Sequence, residues 1–125
     1  MTATRSVHRR QVTLRLNDGS VLCERCVVAD SLLARTRGLL GRNGLAPGEG
    51  LLLRPASAIH SWFMRFPFDA VFLDGDRVVV GIAEHVAPWR MRGRRGARAV
   101  LELAAGECTR RGLHIGARLA AVPEP

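Results

Sequence analysis

The sequence predicts an α+β fold: a mainly antiparallel β-sheet or small barrel of about seven short strands with one main helix. Three observations carry this expectation. Short apolar segments recur with strand-like period, and Asn17-Asp18-Gly19 and Asp74-Gly75-Asp76 sit between two pairs of them as tight-turn signals. One stretch only, Ser31 to Leu40, places apolar residues at a helical period. The run from His60 to Asp74 holds all four phenylalanines and is apolar on both alternating faces, the pattern of a strand buried on both sides.

Taken in order, Val7 to Leu16 reads as a first strand with Val12, Leu14 and Leu16 on one face. Val21 to Ala29 returns as the second arm of a hairpin. Asp30 or Ser31 caps the helix, whose Leu32, Leu33, Thr36, Leu39 and Leu40 form the face expected to pack on the sheet. Gly41 ends it. Asn43 to Gly50 is a Gly/Pro loop, and Leu51 to Leu53 is a short buried strand. Pro67 has no N–H for a ladder, so it splits the central run into two extended pieces joined by a bend. Val78 to Ala83 should pair back on Val71 to Leu73. Glu84 to Gly96, rich in Arg and Gly, reads as irregular. Ala97 to Ala104 resumes a strand, Glu107 to Leu113 allows one or two helical turns, and Ala117 to Val122 closes the sheet.

The 125 residues fit one domain spanning 1–125, and a domain of that size buries roughly two-thirds of its unfolded surface. With 47% hydrophobic residues, neither a metal nor a disulfide is needed to hold a core, and no cofactor is expected. No apolar run approaches the roughly 18 residues of a membrane span. No apolar segment follows the basic stretch Met1 to Arg10, which makes a cytoplasmic protein the expectation.

The net charge is +8, and all nineteen basic residues are Arg, with no Lys. A complete absence of Lys is read as a coding bias, and the cluster Arg90, Arg92, Arg94, Arg95 and Arg98 as a solvated loop. A polyanion partner such as nucleic acid is the alternative. Trp89 and Met91, inside the same stretch, would then stack a base or dock a partner, although a loop that folds one aromatic back onto the core is the commoner arrangement.

Three segments occur in one order: Arg37-Gly38-Leu39-Leu40-Gly41-Arg42, then Trp62 to Asp69 with Val71-Phe72-Leu73-Asp74, then Leu101-Glu102-Leu103-Ala104-Ala105-Gly106. Together they resemble the family known as domain of unknown function 192, over about Ala29 to Val122, with the hairpin 7–29 preceding that region. Gly41 departs from the larger apolar residue usual in that family. The resemblance implies a β-rich single domain with one main helix, and it implies no activity and no catalytic residue. The positions that match its motifs are Arg37, Gly38, Arg42, Met64, Asp69, Glu102 and Gly106.

The candidate site follows from polar groups embedded in apolar segments. His60, Trp62 and Met64 alternate and would share one face of an extended piece, forming a pocket wall for a small molecule. Arg37, Arg42, Asp69 and Glu102 are charges whose burial requires partners. Structural ion pairs satisfy that requirement, above all Asp69 with Arg37 or Arg42, and an anion-binding cluster is the alternative. Cys23 and Cys26 are spaced as half a zinc site. On a regular strand, residues three apart face opposite sides about 10 Å apart, which argues against a disulfide or a metal. The functional expectation is a non-enzymatic binding or accessory module with a small pocket beside strand 60–73, its partner a small molecule or a protein. Against it stand a small enzyme using His60, Asp69 and Glu102, and a basic nucleic-acid-binding protein.

Overall fold

A computed structural model of the chain describes residues 10–30, 43–62 and 64–123. The expected helix Ser31–Leu40, with Arg37 and Arg42, lies outside the described residues.

Strands β1 (Arg10–Arg15) and β2 (Val21–Ala29) form the first hairpin. Its turn is fixed by Asp18, whose Oδ1 accepts from the Ser20 N–H at 2.8 Å and the Ser20 hydroxyl at 2.6 Å. The chain then crosses to β3 (Glu49–Leu53), which runs parallel to β2 with Leu51 opposite Val27. After β3 come β4 (Ala58–His60), β5 (Phe68–Leu73), β6 (Val79–Val86), β7 (Met91–Gly93) and β8 (Ala99–Ala104). A four-residue helix α1 (Glu107–Arg110) and strand β9 (Ala120–Val122) complete the chain.

Among the described residues, seven strands make one sheet in the order β9-β1-β2-β3-β8-β5-β6, while β4 and β7 form a separate two-stranded ribbon. The fold is therefore β-rich as expected, but the sheet is mixed and open, neither purely antiparallel nor a barrel. The parallel pair follows from chain length: the connection between Ala29 and Glu49 is long enough to carry the chain back to the starting end, as parallel strands require. Near the other end of the chain, Arg118 makes a single bridge with Val78. One bridge brings the region before β9 to the start of β6 without closing a barrel.

The central strands are covered on both sides. All six residues of β5 are buried, as are five of six in β8. One face carries a core of Leu14, Leu22, Leu52, Val71, Leu101 and Leu103; the other carries Leu51, Leu53, Phe68, Ala70, Phe72 and Val100. This double burial removes the polar/apolar alternation from these strands.

Two bulges shape the site. Val12 faces Cys26 and Leu14 faces Cys23, so Glu24 and Arg25 together oppose Thr13. Phe68 faces Val86 and Ala70 faces Ala83, leaving Glu84 and His85 as the bulged residues, with His85 at φ 52. The stretch expected to be irregular, Glu84 to Gly96, thus contains the end of β6 and all of β7.

Candidate functional site

Glu102 sits in the middle of β8, opposite Leu51 on one neighbour and Ala70 on the other. Directly opposed residues share a face, so its side chain stands among the core of Leu51, Ala70, Phe72 and Val100. It is 5% exposed, and its buried Oε1 has no hydrogen-bond partner among the described residues. Burial alone pushes its carboxyl from the ordinary 4.5 up to about 8. At neutral pH it is mostly a protonated acid, able to donate one hydrogen bond and accept another.

Asp69 is opposite Leu103 and so points to the other face of the same sheet. It is fully buried, and its carboxylate is saturated by backbone. The His85 N–H donates to Oδ1 at 2.9 Å, and the Gly106 and Cys108 N–H groups both donate to Oδ2 at 3.1 Å. Gly106 is the N-cap of α1, at φ 90, and has no side chain to cap with. Asp69 supplies that cap from across the sheet and pins the His85 bulge with its second oxygen. Its partners among the described residues are these backbone amides and the Cys108 thiol; the expected pairing with Arg37 or Arg42 lies outside them. Because Asp69 and Glu102 emerge on opposite faces, they are not brought together as an acid–base pair, and His60, exposed on the ribbon, completes no triad with them.

His60, Trp62 and Met64 do not share a face. Strand β4 ends at His60, the chain turns at Ser61, and Met64 enters the core at 9% exposure while Trp62 is 42% exposed. The His60 and Trp62 rings lie 4.7 Å apart at 31° on the outside. Ser61 makes this turn. It is fully buried, its hydroxyl donates to the Ala87 carbonyl at 2.6 Å and accepts from the Arg90 N–H at 2.8 Å. Its carbonyl accepts from the N–H groups of Met64 and Trp89 at 3.1 and 3.0 Å. Nothing in the sequence separates Ser61 from any other serine.

Glu107 is the second functional-looking residue that sequence reasoning passed over. Its side chain is 4% exposed, yet it is paired. Arg110 donates to both its oxygens at 2.6 and 2.9 Å, and Arg111 donates at 3.2 Å. Arg110 first, and Arg111 behind it, hold the Glu107 carboxyl below its ordinary value. The spacing of Arg110 and Arg111, three and four residues on, was the available signal.

All three cysteines are buried thiols. The β1–β2 bulge turns Cys23 and Cys26 into the same core cluster, so the expectation that they face opposite sides fails where the regular strand period is interrupted. The thiol–thiol hydrogen bond lowers the Cys23 pKa and raises that of Cys26. Burial, with the charge of Asp69 next, pushes the Cys108 thiol up. Among the described residues no group of three or more His, Cys, Asp or Glu is placed to hold a metal. Two open clefts lie elsewhere, one of about 300 Å³ between Arg54, Asp74, Arg77 and Arg98, the other of about 380 Å³ between Asp18, Arg111 and His114.

The sequence profile of the uncharacterised ACR family called domain of unknown function 192 matches residues 13–121. The chain belongs to this family. The match takes in the first hairpin as well as the motif-bearing segments. A solved structure from Sinorhizobium meliloti 1021, described as a candidate transcription regulator, has a TM-score of 0.83 at 25% identity, covering 94% of this chain and 98% of that one. A protein of unknown function from Novosphingobium aromaticivorans DSM 12444 has a TM-score of 0.77 at 26% identity, covering 94% of this chain and 93% of that one. No curated protein matches the chain. In this member of the family, two motif positions have a structural task, since Asp69 and Gly106 together build the start of α1. Among the described residues, Glu102 has no task of that kind. No helix among the described residues is long and apolar enough to cross a membrane.

Proposed function

We propose that this member of the family is a non-enzymatic binding or accessory module, with a small-ligand site on the sheet face that carries Glu102, beside the run from His60 to Leu73. The observation that carries the reading is one carboxyl oxygen: Oε1 of Glu102 is buried among apolar side chains and has no hydrogen-bond partner among the described residues. A buried polar group left unsatisfied costs roughly 1–3 kcal/mol, and groups retained at such a cost concentrate where a ligand completes them. A neutral carboxyl on an apolar wall suits a mainly apolar molecule bearing one amide, carbonyl or hydroxyl group. Met64 belongs to the apolar wall of the proposed site. Arg37 and Arg42 remain candidates for the polar end of the ligand. Asp69, His60 and Trp62 leave the proposal, because the first is engaged by backbone and the other two face outward.

Native mass spectrometry of the purified protein, with Glu102→Leu and Glu102→Gln variants, tests this. The expected result is a small-molecule adduct on the natural chain that is weakened by Gln and lost with Leu. In the ligand-free state, Glu102→Leu should be at least as stable as the natural chain, since it replaces an orphaned acid by an apolar side chain of similar size. No adduct, combined with a Leu variant that is clearly destabilised, would make Glu102 part of the scaffold and end the reading.

A further inference from the structure

The ribbon of β4 and β7 carries side chains that the core does not use. His60 pairs with Met91 and Ala58 with Gly93, so these four share one side of the ribbon, while Ile59, buried, and Arg92 share the other. Three of the largest exposed apolar side chains gather here: Trp62 at 42%, Trp89 at 57% and Met91 at 59%. Trp89 has a left-handed backbone at φ 66, a conformation that bulky residues rarely take unless their surroundings impose it. Ser61 imposes it, accepting the Trp89 N–H on its carbonyl and the Arg90 N–H on its hydroxyl. The display of Trp89 is thus built from a buried serine outward.

The charge around these rings is one-sided. Arg90, Arg92, Arg94, Arg95 and Arg98 are all exposed. Among the described residues none of the five pairs with a carboxylate, whereas Arg10, Arg54, Arg110 and Arg111 all do. The guanidinium groups of Arg90 and Arg92 donate only to the carbonyls of Trp89 and Met91, their own neighbours. A coding bias toward Arg explains how many there are. It does not explain why Arg90 and Arg92, which pair with no carboxylate among the described residues, directly follow the exposed Trp89 and Met91 along the chain.

We propose that the β4–β7 ribbon is a docking surface for single-stranded nucleic acid. Bases stack on Trp62 and Trp89, the first of which already lies against the His60 ring, and Arg90, Arg92, Arg94 and Arg95 neutralise the phosphates on either side. Planar aromatic faces interleaved with cations are what a flexible strand of bases and phosphates needs, and every base offers a face to stack. An anionic lipid surface offers the same charge but calls for a broad apolar face to sink into it. Here the apolar patch is three side chains wide, and one of its rings lies tilted against a histidine ring. Duplex offers phosphates but keeps its bases stacked on each other.

The test is fluorescence anisotropy of a labelled oligothymidylate, a duplex of equal length and phosphatidylserine vesicles, each titrated with the full chain over a range of salt. The single strand should bind most tightly, and its affinity should fall linearly in a log–log plot against salt. Neutralising Arg90, Arg92, Arg94 and Arg95 together by Gln should reduce that slope by roughly 3, at about 0.7 per released phosphate. Trp62→Ala and Trp89→Ala should each weaken single-strand binding roughly 5- to 150-fold, the range for loss of one stacked base, while leaving the slope unchanged. Both are exposed, and thermal melts of each variant confirm that the fold is kept. Glu102→Leu should bind the strand normally, so failure of the small-ligand reading leaves this result standing. Equal affinity for duplex with no effect of either tryptophan would reduce the surface to bare charge and overturn the proposal. So would binding to vesicles alone, or no binding at low salt.

Discussion

Asp69 stands in the most thoroughly buried strand of the chain, and three backbone N–H groups converge on its carboxylate. A charged acceptor of this kind binds each donor more strongly than a neutral one. Asp69→Asn keeps the shape but turns one acceptor into a donor that faces an amide N–H. The expected loss is about 2–4 kcal/mol in urea melts, from one repelled donor and two weakened bonds. Amide exchange at His85, Gly106 and Cys108 should accelerate in the variant beyond the general loss of stability. Unchanged protection at all three would mean that Asp69 does not hold the cap. The importance of Asp69 was legible in the sequence, because a charge in a doubly apolar strand must be satisfied by something. The identity of its partners was not, since backbone amides from a bulge and a distant helix start carry no side-chain signature. For the same reason Glu102 could be singled out but not assigned a side of the sheet. Its face is fixed by register with Leu51 and Ala70, a relation between strands far apart in sequence.

At the scale of elements, β3 approaches β2 and β8 closely. Gly50 faces Cys26 on β2 and Leu103 on β8. A Cβ there would stand 2.7 Å from the Cys23 sulfur, 3.0 Å from a Leu103 methyl and 3.2 Å from the Glu102 carbonyl oxygen. The sulfur and methyl can shift, but the carbonyl belongs to the strand that presents Glu102. Gly50→Ala should therefore cost roughly 1–3 kcal/mol, the range for overpacking a core. A stability change under about 0.5 kcal/mol in the same melts would show that β3 and β8 yield easily. This crowding was hidden in the sequence, where Gly50 read as the end of a Gly/Pro loop. The hairpins at Asn17-Asp18-Gly19 and Asp74-Gly75-Asp76 were legible because turn chemistry is local. The parallel pairing of β2 with β3 was not, because its register rests on the crossover between them. Strand β7 was equally hidden: Met91-Arg92-Gly93 has no apolar alternation, and its pairing with β4 is held by bonds through Ser61.

For the whole molecule, the buried and paired carboxyls act on stability in opposite directions of pH. Glu107 is held below its ordinary value chiefly by Arg110, Glu24 by Arg111 and Asp18 by the Ser20 hydroxyl. The native state prefers these groups ionised, so their contribution is present above the ordinary carboxylate range and is lost as pH falls through their folded values. Glu102 is the reverse case, raised from 4.5 to about 8 by burial. Folded Glu102 keeps its proton over a range where unfolded Glu102 has lost it. Its contribution is complete below 4.5 and declines as pH rises toward about 8, beyond which it no longer changes. A one-proton difference between the two states gives a slope of roughly 1.4 kcal/mol per pH unit. The stability curve should accordingly peak at mildly acidic pH, rising from strong acid as the paired carboxyls ionise and falling toward neutrality as Glu102 is strained. Urea midpoints measured across this range, on the natural chain and on Glu102→Gln, isolate the Glu102 contribution. The amide does not titrate, so the variant should lose the downward slope between 4.5 and about 8 and keep the acid limb. A bound ligand that satisfies Oε1 of the protonated acid should hold the proton more tightly, and so carry the decline to higher pH. Identical slopes in the two proteins would place Glu102 in contact with water or a cation when folded, and would remove the orphaned acid on which the proposed ligand site depends.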